Sequence, residues 1–160
     1  MLLSILLLAC TQPENAQPRA ASPTPPITAP KAESAGLSCC TTPESTALVN
    51  AYVAVNAGLA ADDDAAATAA LGTLAKASAT ELPDVAAKAA ELAPKPIAEK
   101  RDGLKTVSRS LIAYTHAHKG GATSVAEAFC PMADAGWIQQ GTTIANPYYG
   151  SEMLTCGSFK

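Results

Sequence analysis

Aromatic residues and basic runs are both scarce in this sequence. Phe, Trp and Tyr make up 4% of the 160 residues, and the formal net charge is −3. A chain without a basic patch cannot neutralise a row of phosphates, so the composition argues against nucleic-acid binding. Low aromatic content with abundant alanine favours closely packed helices over a β-sandwich, which relies on branched and aromatic residues.

Histidine is also scarce, and this limits enzyme chemistry. The chain contains only His116 and His118. A cysteine nucleophile needs a positioned histidine base, and no third residue is arranged to orient either histidine. The sequence therefore predicts that the protein is not an enzyme.

Long apolar segments are absent apart from the opening run, MLLSILLLAC. This run is too short to span a bilayer as a mature helix and is typical of a signal peptide. Leu7-Leu8-Ala9-Cys10 resembles the bacterial lipobox, although the Lys or Arg that usually precedes such a run is missing. The resemblance implies a lipoprotein signal peptide over residues 1–9, with cleavage before Cys10 and acylation of that residue. The alternatives are an ordinary secreted protein and a buried apolar arm.

The residues after Cys10 predict a surface tether. Residues 10–40 are rich in Pro, Ala and Ser and carry neither helical nor strand periodicity. Such a chain extends by roughly 3 Å per residue and would hold a domain away from the lipid surface. Thr11 rather than Asp follows Cys10, and by resemblance to Gram-negative lipoproteins this implies a periplasm-facing protein of the outer membrane.

Residues 41–160 are expected to form one folded domain. Helix starts are indicated near Pro43, Asp62–Asp64, Pro83 and Ile97, and a short apolar stripe follows each start. The acidic triplet is interpreted as a helix cap, because calcium loops space their carboxylates at alternate positions. We expect a mainly α fold: a small antiparallel helical bundle with an irregular or β-hairpin C-terminal cap.

The two histidines lie on different faces of the fourth predicted helix. His118 continues the stripe of Leu104, Leu111 and Tyr114, so it is predicted to point inward, whereas His116 is predicted to face solvent. His118 is either a helix C-terminal histidine favoured by the helix dipole or a reserve metal ligand.

The C-terminal segment carries an unusual sulfur pattern. Cys130-Pro131-Met132 stands near its start and Met153-x-x-Cys156 at its end, with turn-forming residues between them, including Asn146-Pro147 and Gly150. A hairpin or compact loop would bring Cys130 and Cys156 near one another, but the spacing does not fix their distance.

Two interpretations of these sulfurs are open. Monovalent copper and silver favour thiolate and thioether ligands, whereas zinc rarely takes thioether, so a metal site would combine Cys130, Cys156, Met132 and Met153 around Cu(I) or Ag(I), with His118 as a possible substitute. Alternatively, Cys130 and Cys156 form a disulfide worth about 3 kcal/mol, and the methionines fill the core.

The segment CPMADAGWIQQGTTIANPYYGSEMLTCG resembles the closing motif of a family of bacterial periplasmic domains of unassigned function. These domains occur alone or appended to adaptor proteins of copper and silver efflux pumps. The resemblance covers roughly residues 44–158 and implies an envelope lipoprotein that binds a soft metal as an accessory, buffer or handover module, with an efflux adaptor as a candidate partner. The alternative is a disulfide-stapled structural or interaction lipoprotein.

Cys39 and Cys40 complicate both interpretations. Adjacent cysteines form only a strained ring with each other, so the expectation is a pair of cysteines on a flexible arm. The sequence leaves open whether they pair with Cys130 or Cys156, capture metal from the tether, or stay free.

Overall fold

The computed structural model describes residues 36–160. The predicted signal peptide, Cys10 and most of the predicted tether lie outside the described residues. Within residues 36–160, four α-helices and four strands follow one another. The helices are α1 (Pro43–Ala60), α2 (Asp64–Ala77), α3 (Pro83–Leu92) and α4 (Ile97–Ala117), and the strands are β1 (Leu37–Cys39), β2 (Thr123–Cys130), β3 (Ala135–Gln139) and β4 (Ser158–Phe159).

Helix α1 begins where the sequence predicts. The Thr42 hydroxyl accepts a hydrogen bond from the Ser45 amide at 3.1 Å, and Pro43 occupies the first turn, where its missing N–H costs nothing. The predicted apolar stripe is fully buried; it consists of Leu48, Tyr52, Val55 and Leu59. This stripe faces the centre of the domain.

The three carboxylates of the acidic triplet after α1 each contact a different partner. Asp63 caps α2 through the Ala66 amide at 2.9 Å, which confirms the predicted cap. Asp64 receives the buried ammonium group of Lys100 at 2.6 Å, and Asp62 pairs with Arg101. The triplet therefore joins the start of α2 to α4 through two ion pairs.

Helix α4 lies between the other helices and the sheet. Leu104, Leu111 and Tyr114 are buried as predicted, and Val107 is buried with them. Helix α4 packs against both α3 and β3. No helix within residues 36–160 combines the length and apolarity needed to cross a bilayer.

Strand β2 is the centre of a small antiparallel sheet. It pairs with β1 through Thr123–Val125 and with β3 through Ala126–Cys130. Strand β4 pairs with Ala128 and Phe129, which also pair with β3, so β3 and β4 flank β2 on opposite sides. The C-terminal end of β2 is therefore enclosed by both later strands.

The four predicted helices are confirmed. The domain is nevertheless mixed α/β rather than mainly α, because four strands form an antiparallel sheet beside the helices. The hairpin of the structure is formed by β2 and β3, joined by the turn after Cys130. The predicted turn around Asn146-Pro147 and Gly150 joins no pair of strands and lies in an irregular segment with a short 3₁₀ turn, as the alternative of a compact loop expected. Strand β2 was missed because its inward positions Ala126 and Ala128 are alanines, which favour helices over strands.

The boundary of the predicted tether is also corrected. Residues 37–39 form β1, and Cys39 and Cys40 are 0% and 3% exposed. The expectation of flexible-arm cysteines is therefore wrong. The Cys40 amide donates to the carbonyl of His118 at 3.0 Å, so this pair is attached to the end of α4.

Candidate functional site

Cys130 and Cys156 lie side by side at the C-terminal end of β2. Their Sγ atoms are 2.9 Å apart, although 26 positions separate them in the sequence. The contact follows from the sheet, because the pairing of Phe129 with Ser158 places Cys156 beside the last residue of β2. Cys130 is fully buried and Cys156 is partly exposed.

The turn after Cys130 supplies hydrogen-bond donors to its sulfur. Burial by itself raises the pKa of Cys130, but hydrogen bonds from the Cys156 thiol, from the amides of Ala133 and Met132, and from the Asn146 side chain lower the pKa below its ordinary value of 9.0. Pro131 has no N–H of its own, so the two donors of this turn come from the residues after it. The local fold favours the thiolate form of Cys130.

Cys156 behaves in the opposite way. Its hydrogen bond to Cys130 is the largest cause of a raised pKa, and burial and the charge of Cys130 add to it. The two thiols therefore share a proton that resides on Cys156 when Cys130 ionises.

Asn146 connects the two halves of the site. It is completely buried, and its Nδ2 donates to the Cys156 carbonyl at 2.9 Å. Its backbone amide donates to the Leu154 carbonyl at 2.8 Å, while its Oδ1 accepts from the Tyr148 amide at 2.8 Å. Asn146 therefore fixes the segment that carries Cys156.

Two consecutive tyrosines, Tyr148 and Tyr149, form hydrogen bonds to β3 and to the turn that follows Cys130. The Tyr149 hydroxyl donates to the Met132 carbonyl at 3.1 Å. The Tyr148 hydroxyl donates to the Gly136 carbonyl at 2.5 Å and lies 3.0 Å from Oγ of Ser108 on α4. Both halves of the site are thus tied to the helical layer and to β3.

Gly157 is required by the close packing beneath Cys156. Its φ is +134°, and a Cβ atom there would lie 2.9 Å from the Phe129 carbonyl oxygen and 2.9 Å from the buried Trp137 ring. Only glycine fits this conformation and this space.

A charged contact holds the segment that leads into the site. The Asp62 carboxylate accepts from the Ser151 amide at 2.9 Å and also pairs with Arg101. Hydrogen bonding to Ser151 and then Arg101 holds the pKa of Asp62 well below its ordinary value of 3.8. This contact anchors the short 3₁₀ turn Gly150–Glu152 that precedes Met153.

The methionines differ in their surroundings. Met132 is 64% exposed, so it is not the core filler that the disulfide interpretation assumed. Met153 is partly buried, and its carbonyl accepts from the Cys156 amide at 2.9 Å. Leu154 is 39% exposed, so two apolar side chains of this motif, Met132 and Leu154, lie at the surface.

The structure does not bring His118 to the predicted metal site. His118 follows α4 beside Cys40, near the Thr123 end of β2, whereas Cys130 ends this eight-residue strand, roughly 20 Å away. His118 is exposed rather than inward-pointing, and its ring stacks on Tyr114 with centroids 4.0 Å apart. The helix C-terminal interpretation describes it better than the reserve-ligand interpretation.

His116 faces solvent as predicted and contacts an acidic residue of β2. Its Nε2 lies 2.8 Å from the Glu127 carboxylate, which also accepts from Lys160 at 2.9 Å. The pKa of Glu127 is lowered; burial opposes this, but the contacts with His116 and Lys160 outweigh it. These contacts join α4 and the C-terminus to β2.

The sheet decides which cysteines can meet. Cys39 pairs with Thr123 at one end of β2 and Cys130 lies at the other, so neither Cys39 nor Cys40 can reach Cys130 or Cys156 within this fold. Burial, followed by the neighbouring Cys40 thiol, raises the pKa of Cys39 to about 12. The described part of the chain therefore contains two separate cysteine pairs.

Sequence reasoning assigned Asn146 only to a turn and Asp62 only to a helix cap, and it placed neither of them, nor Tyr149, at the cysteine site. A signal was available for the first, because a polar Asn directly before Pro147 in a turn-rich segment is suited to bond nearby backbone. The contact of Asp62 with Ser151 joins residues 89 positions apart and leaves no local signal.

A scan against protein-family models, a search of the curated proteins and a search of the solved structures each found no match to the chain.

Proposed function

We propose that the Cys130–Cys156 pair binds one soft monovalent metal ion, Cu(I) or Ag(I). The observation that carries the proposal is the 2.9 Å approach of two thiol sulfurs, one of them provided with amide donors that favour its thiolate. Thiolate is the form that binds metal, and soft thiolates are the ligands that Cu(I) selects.

The spacing of the sulfurs sets a condition on binding. Two thiolates at a metal–sulfur distance of roughly 2.3 Å lie roughly 3.8 Å apart in a tetrahedral arrangement, and farther apart in a linear one. The Cys130 and Cys156 sulfurs must therefore separate by about 1 Å from their 2.9 Å contact. Cys156 is the sulfur that moves, because it is partly exposed whereas Cys130 is enclosed.

Met132 is the first candidate for a third ligand. Its side chain is 64% exposed on the turn whose amides face Cys130, which is an unfavourable position for an apolar residue without a task. A thioether needs no deprotonation and is a soft donor. Met153, three residues before Cys156, is the second candidate.

The cellular setting follows from the sequence. The likeness of Leu7-Leu8-Ala9-Cys10 to a lipobox and the proline-rich residues after it support a lipid-anchored protein that faces the periplasm from the outer membrane. The resemblance of residues 130–157 to the closing motif of periplasmic domains that also occur on efflux adaptors supports an accessory, buffer or handover role toward a copper or silver efflux adaptor.

Anaerobic titration of the reduced full chain with Cu(I), against a competing Cu(I) chelator, tests the proposal. A Cys10→Ser background keeps the protein free of lipid. We expect one ion per chain, severe loss of affinity in Cys130→Ser and Cys156→Ser, and a smaller loss in Met132→Leu, because leucine keeps the volume and removes only an uncharged ligand.

The matched control is the double variant Cys39→Ser with Cys40→Ser, which changes the other cysteine pair at the far end of β2. It should keep the stoichiometry and affinity of the unmodified chain. Unchanged affinity in both Cys130→Ser and Cys156→Ser would remove the metal site.

A second candidate function is a disulfide-stapled structural lipoprotein. The same 2.9 Å contact supports it, since the sulfurs need to approach by less than 1 Å to reach the disulfide bond length of about 2.05 Å. Thiol counting on protein taken directly from the native envelope separates the candidates. A quantitative Cys130–Cys156 disulfide in that sample, with no copper binding after reduction, selects the structural role.

A further inference from the structure

The two sulfurs of the site differ sharply in their access to solvent. Cys130 is 0% exposed, enclosed by its own turn and by Asn146, whereas Cys156 is partly exposed. Nevertheless the sulfurs are only 2.9 Å apart. An external reagent can therefore reach the sulfur of Cys156, whereas the sulfur of Cys130 is shielded from solvent.

We propose that this pair exchanges with small external disulfides of the glutathione class, with Cys156 as the entry sulfur and Cys130 as the resolving sulfur. This reactivity goes beyond metal binding and does not depend on it. The protein would thereby pass between a dithiol and an internal disulfide without a change in its fold.

The reaction balances with the external disulfide as oxidant. As the Cys156 sulfur attacks one sulfur of the external disulfide, its proton passes to the adjacent Cys130 thiolate, a mixed disulfide forms and the first small thiolate leaves, taking the proton from Cys130. The Cys130 thiolate then attacks the Cys156 sulfur, forming the internal disulfide and releasing the second small thiolate. The cysteines lose two electrons in total, and the external disulfide is reduced to two thiols.

Entry through Cys156 follows from the contacts around each sulfur. A mixed disulfide on Cys130 would have to displace the Met132 turn, which the Tyr149 hydroxyl holds, and the buried Asn146. A mixed disulfide on Cys156 extends from this partly exposed residue toward solvent.

Resolution requires almost no movement of the chain. The attacking Cys130 sulfur already lies 2.9 Å from its target, and the Asn146 contact with the Cys156 carbonyl keeps the two segments together. The other cysteine pair takes no part, because Cys39 and Cys40 are buried at the far end of β2.

The test exposes the reduced full chain, in the Cys10→Ser background, to glutathione disulfide and follows products by mass spectrometry. Trypsin cleaves after Lys and Arg, so it separates peptide 32–76, with Cys39 and Cys40, from peptide 120–160, with Cys130 and Cys156. We expect the unmodified pair to lose two hydrogens in peptide 120–160 without accumulating a glutathione adduct.

Serine variants identify the order of the two sulfurs. Cys130→Ser should accumulate a stable glutathione adduct on Cys156, whereas Cys156→Ser should form an adduct on Cys130 at least about tenfold more slowly, because access limits exchange. A faster reaction of Cys156→Ser, or a persistent adduct on the unmodified pair, would overturn the assignment.

A second measurement keeps the assignment testable without variants. Limiting iodoacetamide is added to the folded, reduced chain, and the modified sulfur in peptide 120–160 is located by fragmentation. Cys156 should be alkylated before Cys130. Earlier alkylation of Cys130 contradicts the proposal.

Discussion

Asn146 donates a hydrogen bond from its side chain to the backbone carbonyl of Cys156 at 2.9 Å, and both groups lie where β2 ends. The same side chain accepts from the Tyr148 amide at 2.8 Å and faces the Cys130 sulfur. The buried side-chain amide of Asn146 therefore contacts its own turn at Tyr148, the backbone of Cys156 and the sulfur of Cys130.

Replacement of Asn146 by alanine should destabilise the domain. The substitution leaves the Cys156 carbonyl and the Tyr148 amide without their buried partner, at a cost of roughly 1–3 kcal/mol for each group. Urea denaturation followed by the fluorescence of the buried Trp137 measures the change in the free energy of unfolding.

Asn50→Ala is the matched control for that substitution. Asn50 is exposed, and its Oδ1 accepts only a surface hydrogen bond from Gln140 at 3.3 Å. The control should change the free energy of unfolding by less than about 0.5 kcal/mol. Equal effects of the two variants would show that Asn146 has no special structural role.

Removal of either cysteine should shift the pKa of the remaining one, and the two shifts should have opposite signs. In Cys156→Ala, Cys130 loses its strongest favourable hydrogen bond, so its pKa should rise relative to the unmodified chain. In Cys130→Ala, Cys156 loses the contact that raises its pKa, so its pKa should fall toward 9.0. The pH dependence of alkylation in peptide 120–160 measures both values, and shifts of the same sign would contradict the shared-proton arrangement.

The Asp62 contact predicts a specific loss of stability in acid. The folded-state pKa of Asp62 lies below its ordinary value of 3.8, so the ionised carboxylate stabilises the fold at neutral pH, and this contribution falls away as the pH drops below about 4. Asp62→Asn should therefore be less stable than the unmodified chain at pH 7, with the difference shrinking in acid. Asparagine is the suitable replacement because Asp62 has a φ of +58°, which asparagine tolerates.

Thermal unfolding at a series of pH values measures the Asp62 effect. Asp102→Asn serves as its control, since Asp102 forms only an exposed ion pair with Lys105 within α4. A stability difference between Asp62→Asn and the unmodified chain that is constant from pH 7 into acid would argue against the linkage.

The anchor prediction concerns the residue before the tether. Cleavage before Cys10 and acylation of its amine and sulfur should partition the mature protein with membranes, because two or more acyl chains give stable attachment. Cys10→Ser should release the protein from the membrane fraction or leave it unprocessed. An intact mass that shows an unmodified Cys10 in the native host would contradict the prediction.

The helices were predictable because their signals are local. Thr42 and Asp63 cap helices through amides three residues away, and the apolar stripe from Leu48 to Leu59 repeats at helical spacing. The sheet was not predictable in the same way. Strand β2 presents alanines to the core, and β1 is a three-residue segment at the end of a proline-rich stretch, so neither has a local preference for strand.

The sequence by itself determined the helices, the cysteine and methionine motif, and the likeness of residues 7–10 to a lipobox. The tertiary structure decided the site. Strand pairing placed Cys156 beside Cys130, set His118 and the Cys39–Cys40 pair at the opposite end of β2, and left Met132 exposed. The physical reason is that a strand register joins residues far apart in the sequence, so the neighbours of Cys130 are fixed only when the whole sheet forms.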